Sequence, residues 1–289
     1  MVAEKQVEKL IDDDTICTCK VAGNVIEITR LSSMNLSPVM RKLDAEHMVD
    51  IRDGSVVEID HSEKRTDNIR ILKRSLADLR DLINTNVTDA KNVRWVTLTY
   101  KENMQDTERL TNDFKKLLLR LHRKYGTFEY VSCPEPQARG AWHLHLLLIF
   151  PDTAPFIPNA DLAQMWGQGF VKIVEVDNVD NVGAYLSAYM SDIYLDADGS
   201  SSDAPSSDGK SKKQIKGGRL YMYPAGMQIC RHSRGLKKPD IIKGVSAGDI
   251  RKEYVRGGSL TYSYTYSILT DDGKTIEITR EYYNTRRKA

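Results

Sequence analysis

The chain has 289 residues, a formal net charge of +2 and 40% hydrophobic residues. That is enough for one sizeable core with small additions, and four cysteines (Cys17, Cys19, Cys133, Cys230) in this length make no disulfide scaffold. The small net charge hides an asymmetry: residues 1–60 carry seven Lys/Arg against twelve Asp/Glu, whereas residues 210–256 carry thirteen against three, a distribution suited to a polyanion at the C-terminal side.

The N-terminal MVAEKQVEKLIDDD contains no apolar signal core, and the longest mainly apolar stretch, Leu144–Phe150, is too short to span a bilayer. No C-x-x-C pair occurs, so all four cysteines are expected as free thiols of a soluble, cytoplasmic protein. Cys17 and Cys19 are assigned to opposite sides of an expected strand, Thr15–Lys20.

Residues 1–62 read as short strands and loops, with β-branched runs at Val25–Thr29 and Val56–Ile59. A helix is predicted over 67–84, where Ile69, Leu72, Leu76, Leu79 and Ile83 form one apolar stripe. Val93–Tyr100 reads as a buried strand. Asp106–Tyr125 reads as a helix with Leu110, Phe114, Leu117, Leu118 and Leu121 inward, stopped by Gly126. Then come strand Thr127–Cys133, a turn over Pro134–Gly140, strand Trp142–Phe150, a short helix Asp161–Trp166, strand Phe170–Val176 and a long helix Asp180–Ile193. This order predicts an α+β fold, a ferredoxin/RRM-like antiparallel sheet with helices on one face. Residues 196–209 lack apolar periodicity and read as a flexible linker. The chain closes on a hairpin, Leu260–Leu269 and Thr275–Tyr282, around Asp271-Asp272-Gly273. The expected division is an N-terminal extension (1–90), a core (91–195), a linker (196–212) and a basic, Tyr-rich region (213–289).

The sharpest chemical signal is His143-Leu144-His145 inside an apolar strand. Side chains two apart share a face, so the two imidazoles can hold one divalent metal. Two histidines held only by hydrogen bonds on a half-exposed strand would look the same in sequence. Glu135 lies across the turn and can add an oxygen ligand; Glu129, mid-strand, is the more distant competitor. Two imidazoles and one carboxylate leave open positions and suit Mn²⁺ or Mg²⁺ better than a closed structural zinc site. A second signal is Tyr185 and Tyr189, four apart on the expected long helix and therefore on one face. A phenol needs a polarised phosphate and in-line placement to attack a phosphodiester.

Three motifs, in this order, carry a family resemblance: Trp95–Tyr100, Glu135–His145 and the segment with Tyr185 and Tyr189. The chain resembles the His-hydrophobic-His replication initiators of rolling-circle plasmids, phages and integrative elements. The resemblance covers about residues 92–194. It is extended by Gly218–Pro224 and Ser233–Pro239, which are similar to replication proteins of Gram-positive mobile elements. The resemblance implies that Glu135, His143 and His145 bind the metal, and that Tyr185 or Tyr189 attacks a phosphate of single-stranded origin DNA. A 5′-phosphotyrosyl link then forms and a 3′-hydroxyl is freed for a host polymerase, with a host helicase as a further expected partner. The chain departs from the family pattern at Trp142, where proline often precedes the first histidine. It departs again at Ala188 and Asp192, where a lysine often follows the tyrosine by three residues.

Cations and flat rings for single-stranded DNA are expected at Lys212, Lys213, Arg219, Tyr221, Tyr223, Arg231, Arg234, Lys237 and Lys238. Tyr262, Tyr264 and Tyr266 share a strand face that can stack bases or lie covered. The same metal site would serve a conjugative relaxase or a transposase. A reading of another class is a non-catalytic RRM-like nucleic-acid-binding module.

Overall fold

The computed structural model describes residues 10–33, 40–59, 69–87, 89–137, 139–176, 192–195, 201–202, 213–216, 222–224, 227–269 and 273–288. In chain order the elements are β1 Ile16–Ala22, β2 Val25–Leu31, β3 Met40–Lys42, β4 His47–Asp50, β5 Val56–Glu58, α1 Ile69–Asn86, β6 Val93–Leu98 and α2 Thr107–Tyr125. Then follow β7 Glu129–Pro136, β8 Trp142–Ile149, α3 Asn159–Trp166, β9 Val171–Glu175, β10 Asp192–Leu195, β11 Ser201–Ser202, β12 Lys213–Lys216 and β13 Arg231–His232. The last are β14 Asp240–Ser246, α4 Ala247–Ile250, β15 Gly258–Leu269 and β16 Thr275–Lys288. The chain forms two compact units, one of residues 1–20, 26–63 and 241–289, the other of 21–25 and 64–240.

The first unit is built on a sheet ordered β14-β1-β2-β16-β15, so strands from both ends of the chain share one ladder. Cys17 and Cys19 are both buried, at 4% and 0% exposure. Their expected placement on opposite sides is therefore corrected: strand residues two apart point the same way. Glu281 is fully buried in this unit and accepts hydrogen bonds from Arg251 Nη2 at 2.7 Å, Tyr283 Oη at 2.8 Å and Ile11 N at 2.6 Å. This converging set of donors keeps a carboxylate charged inside the core. On another face of β15, Tyr262, Tyr264 and Tyr266 stack in a ladder that continues onto Tyr282.

The second unit is built on an antiparallel sheet ordered β13-β7-β8-β6-β9. Pleating sorts its residues into two sets. Val96, Leu98, Leu144, Leu146 and Leu148 pack with Leu110, Phe114, Leu117 and Leu121 of α2 and with Leu162 and Trp166 of α3. Asp106 caps α2, accepting from the backbone N–H of Glu108 and Arg109, and Gly126 ends it at φ 79°. Val93, Val131, Leu147 and Ile149 point the other way and pack with Leu79, Leu82 and Ile83 of α1. The fold is α+β with an antiparallel sheet, as expected; α1 adds cover to the second face.

Several expectations change. The strand expected to stop at Cys133 continues to Pro136, so the expected turn begins later. Prolines are tolerated there because β13 pairs only with Val131 and Ser132. The Pro134 carbonyl accepts from Tyr223 Oη at 2.8 Å, away from β8, and its missing N–H lies on that same outer side. The expected helix 180–193 falls mostly on residues outside the described set, but Asp192 and Ile193 are strand, paired with Lys216 and Ile215. Ser201–Ser202 of the expected linker is a strand paired with β10. Finally, Cys133 and Cys230 form a disulfide with Cα atoms 4.2 Å apart, which corrects the expectation of four free thiols. Pairing of Arg231 with Ser132 brings the residue before β13 level with Cys133. Among the described residues, no helix is long and apolar enough to cross a membrane.

Two measurements check these assignments. Iodoacetamide labelling followed by mass spectrometry should modify Cys17 and Cys19 only after denaturation, and Cys133 and Cys230 only after denaturation with a reductant. Arg251→Ala strips a buried carboxylate of its counter-charge and should cost about 3–5 kcal/mol in urea unfolding, whereas Arg74→Ala, an exposed residue of a long 4.0 Å pair, should cost about 0–1 kcal/mol.

Candidate metal centre

The candidate centre arises from the pairing of β7 with β8. Glu135 lies directly opposite His143, and Cys133 opposite His145. Cross-strand partners and residues two apart all project to one side of a sheet, so Glu135, His143 and His145 meet on the face that α1 partly covers. Glu129, the competing carboxylate, is at the far end of β7 opposite Ile149. Glu129 is also hemmed in by the tail, since a side-chain carbon at Gly235 would collide with its carboxylate.

The donor atoms converge. His143 Nε2 and His145 Nε2 are 3.0 Å apart, and Glu135 Oε2 lies 3.5 Å from the former and 3.2 Å from the latter. Two imidazole nitrogens at that distance repel if both present protons or both present lone pairs, so a proton or a cation belongs between them. Atoms bound to one small divalent ion about 2.1 Å away are themselves separated by about 3 Å. The residues thus fit a metal, and among the described residues they are the one group of three or more His, Cys, Asp or Glu close enough to share an ion.

Burial and neighbours tune the three ligands. Glu135 is 6% exposed. Burial alone would raise its pKa, but hydrogen bonding and Coulomb attraction from His143 and His145 outweigh it and lower the carboxyl to about 2. Burial pushes the His145 imidazole below its ordinary value, against the opposing pull of Glu135. At neutral pH this places an ionised oxygen beside an unprotonated His145 nitrogen, the protonation that ligation requires. His145 is also held from the side: Trp95 stacks on its ring with centroids 5.3 Å apart, and Thr97 Oγ1 lies 3.5 Å from its Nδ1. Trp95 and Thr97 were not among the expected site residues. Their signal was present, because both lie at alternate positions of β6 and Thr97 pairs directly with His145.

The remaining candidates fall in different places. Tyr185, Tyr189, Lys212, Arg219 and Tyr221 lie outside the described residues. Lys213 is in β12, level with Leu195. Arg234, Lys237 and Lys238 are exposed, and the Lys237 backbone exchanges two hydrogen bonds with the Asn86 side chain at the end of α1. Arg231 is half-buried and donates to Thr111 Oγ1 at 3.3 Å. Tyr223, expected among the base-stacking residues, is instead 5% exposed and packs edge-on against Trp142. Its ring is part of the core and offers no free face to a base.

Residues 93–193 match a family of replication-associated proteins, the ORF2 family. The matched segment opens at the first residue of β6, contains all three converging ligands and spans Tyr185 and Tyr189. No curated protein and no solved structure matches the chain.

Titration calorimetry with Mn²⁺ should detect one site, weakened about tenfold or more by His143→Ala or Glu135→Gln. Both shifted groups have folded pKa values below their unfolded ones, so each stabilises the folded state above the unfolded value and loses that contribution on acidification. Affinity should therefore hold from neutral pH down through the ordinary imidazole range near about 6.5 and fall only below it. A decline beginning above pH 7 would contradict the lowered His145.

Proposed function

We propose that the chain is a replication initiator that nicks single-stranded origin DNA. The reading is carried by one observation: Glu135, His143 and His145 converge within the segment that matches a replication-associated family. Those residues would hold Mn²⁺ or Mg²⁺. When bound, such an ion polarises a phosphoryl oxygen and neutralises charge developing on it. Glu135 and His145 arrive at neutral pH already in their ligating forms. Trp95 and Thr97 restrain the His145 ring, so the donor set is organised before DNA binds.

Tyr185 or Tyr189 supplies the nucleophile. Its phenolic oxygen bonds to phosphorus as the bond to the 3′ oxygen breaks; the phenol gives up its proton and the departing oxygen gains one. The products are a 5′-phosphotyrosyl link and a 3′-hydroxyl for a host polymerase, and a second tyrosine attack or the reverse reaction reseals the strand. Exposed Arg234, Lys237 and Lys238, with Lys212, Lys213 and Arg219, contribute cations to the DNA path.

The reading is tested by resolving covalent protein–DNA adducts on denaturing gels, using labelled single-stranded DNA from the candidate origin. Adducts should form with Mn²⁺ or Mg²⁺ and disappear with chelator. The double change Tyr185→Phe/Tyr189→Phe should abolish them. His143→Ala should reduce them about a hundredfold or more while leaving DNA binding in place. Adducts that persist in the double tyrosine variant would overturn the mechanism.

A further inference from the structure

The face that carries the ligands continues, past β6, onto the edge strand β9. Thr97 pairs with His145 on one side and with Lys172 on the other, so Cys133, His145, Thr97 and Lys172 form one row across the sheet. Lys172 lies two strand spacings, about 10 Å, from His145. It is exposed and has no ion-pair partner among the described residues. One row along, Trp95 pairs with Val174, which is 37% exposed.

Just before β9 stands Phe170, 67% exposed. Continuing the strand alternation puts it on the same face as Lys172. Its backbone is firmly held: the Phe170 carbonyl accepts from Thr99 N at 2.9 Å and from Thr99 Oγ1 at 3.0 Å. Gly169 allows this approach, because a side-chain carbon there would collide with the Thr99 carbonyl. A large ring on pinned backbone, left in solvent beside an unpaired cation, has no role in the core. Together these residues supply what a single strand of nucleic acid requires, a flat ring for a base and a positive charge for a phosphate.

We propose that Phe170 and Lys172 form the seat of the single-stranded DNA on the β9 side of the metal centre, Phe170 stacking on a base and Lys172 contacting a backbone phosphate. The inference rests on the function proposed above and adds to it the direction in which the strand leaves the centre: across β6 to the edge of the sheet. Charge complementarity and continuity with the ligand face argue for this occupant over a second copy of the chain.

The test is equilibrium binding of a fluorescein-labelled oligothymidylate to the full chain, followed by anisotropy in chelator so that no cleavage intervenes. Lys172→Ala should weaken binding about tenfold and flatten the salt dependence by about 0.7 in log–log slope, the share of one phosphate on a single strand. Lys172→Arg should restore both. Phe170→Ala should weaken binding about tenfold with an unchanged salt slope, whereas Phe156→Ala, also exposed at 79%, should leave binding at the wild-type level. Thermal melts of each variant should match wild type, because the substituted side chains are exposed. Wild-type affinity in both Phe170→Ala and Lys172→Ala would overturn this inference and leave the proposed function standing. Failure of the unaltered protein to bind the oligonucleotide at all would overturn both. A Phe170→Ala change that alters sedimentation rather than DNA affinity would assign the patch to self-association and overturn the inference.

Discussion

The second unit depends on the register between β7 and β8. One residue of slip would carry Glu135 to the opposite face of the sheet from His143 and His145 and dissolve the cluster. Both faces oppose that slip. Leu144, Leu146 and Leu148 are fixed under α2 and α3, while Leu147 and Ile149 are fixed under α1. The hydrophobic alternation that builds the core therefore also aims the three ligands. A half-turn of pleat separates a leucine buried against α2 from a histidine beside a carboxylate.

The same face changes character along its length. Near Val131, Leu147 and Val93 it is apolar and closed by α1; near Glu135, His143 and Thr97 it is polar and half-open. The apolar part supplies the packing that fixes strand positions, and the polar part uses that rigidity. Trp95 stands at the boundary, with one side on the hydrophobic cluster and its ring stacked on His145. A side chain of that size makes the transition without leaving a void, and it shields the imidazole from water without giving it a competing charge.

Periodicity made the second unit legible. The apolar stripe of Leu110, Phe114, Leu117 and Leu121 located α2 and its buried face. The His-Leu-His alternation placed both imidazoles together, and the nearby Glu135 could be chosen over Glu129 by distance along the strands alone. What stayed hidden was contact that leaves no local trace. Cys230 reaches Cys133 because a two-residue strand pairs 99 positions away at Arg231 and Ser132, and an argument from cellular redox conditions cannot see that geometry. Tyr223 looked like a surface ring because its neighbours are basic, yet one hydrogen bond to Pro134 and one contact with Trp142 place it inside. The role of Thr97 and Trp95 could have been read from β6, but only once the order of strands was known.

The ladder β14-β1-β2-β16-β15 joins residues from the two ends of the chain, with Ile11 donating to Glu281 across 270 positions. On the ribosome, β1 and β2 emerge first and find neither of their outer neighbours until nearly all of the chain has been made. The 64–240 unit contains its own sheet and can fold in that interval. Synthesis thus favours an order of events in which the metal-ligand face forms early and the first-made strands wait, exposed, for the last.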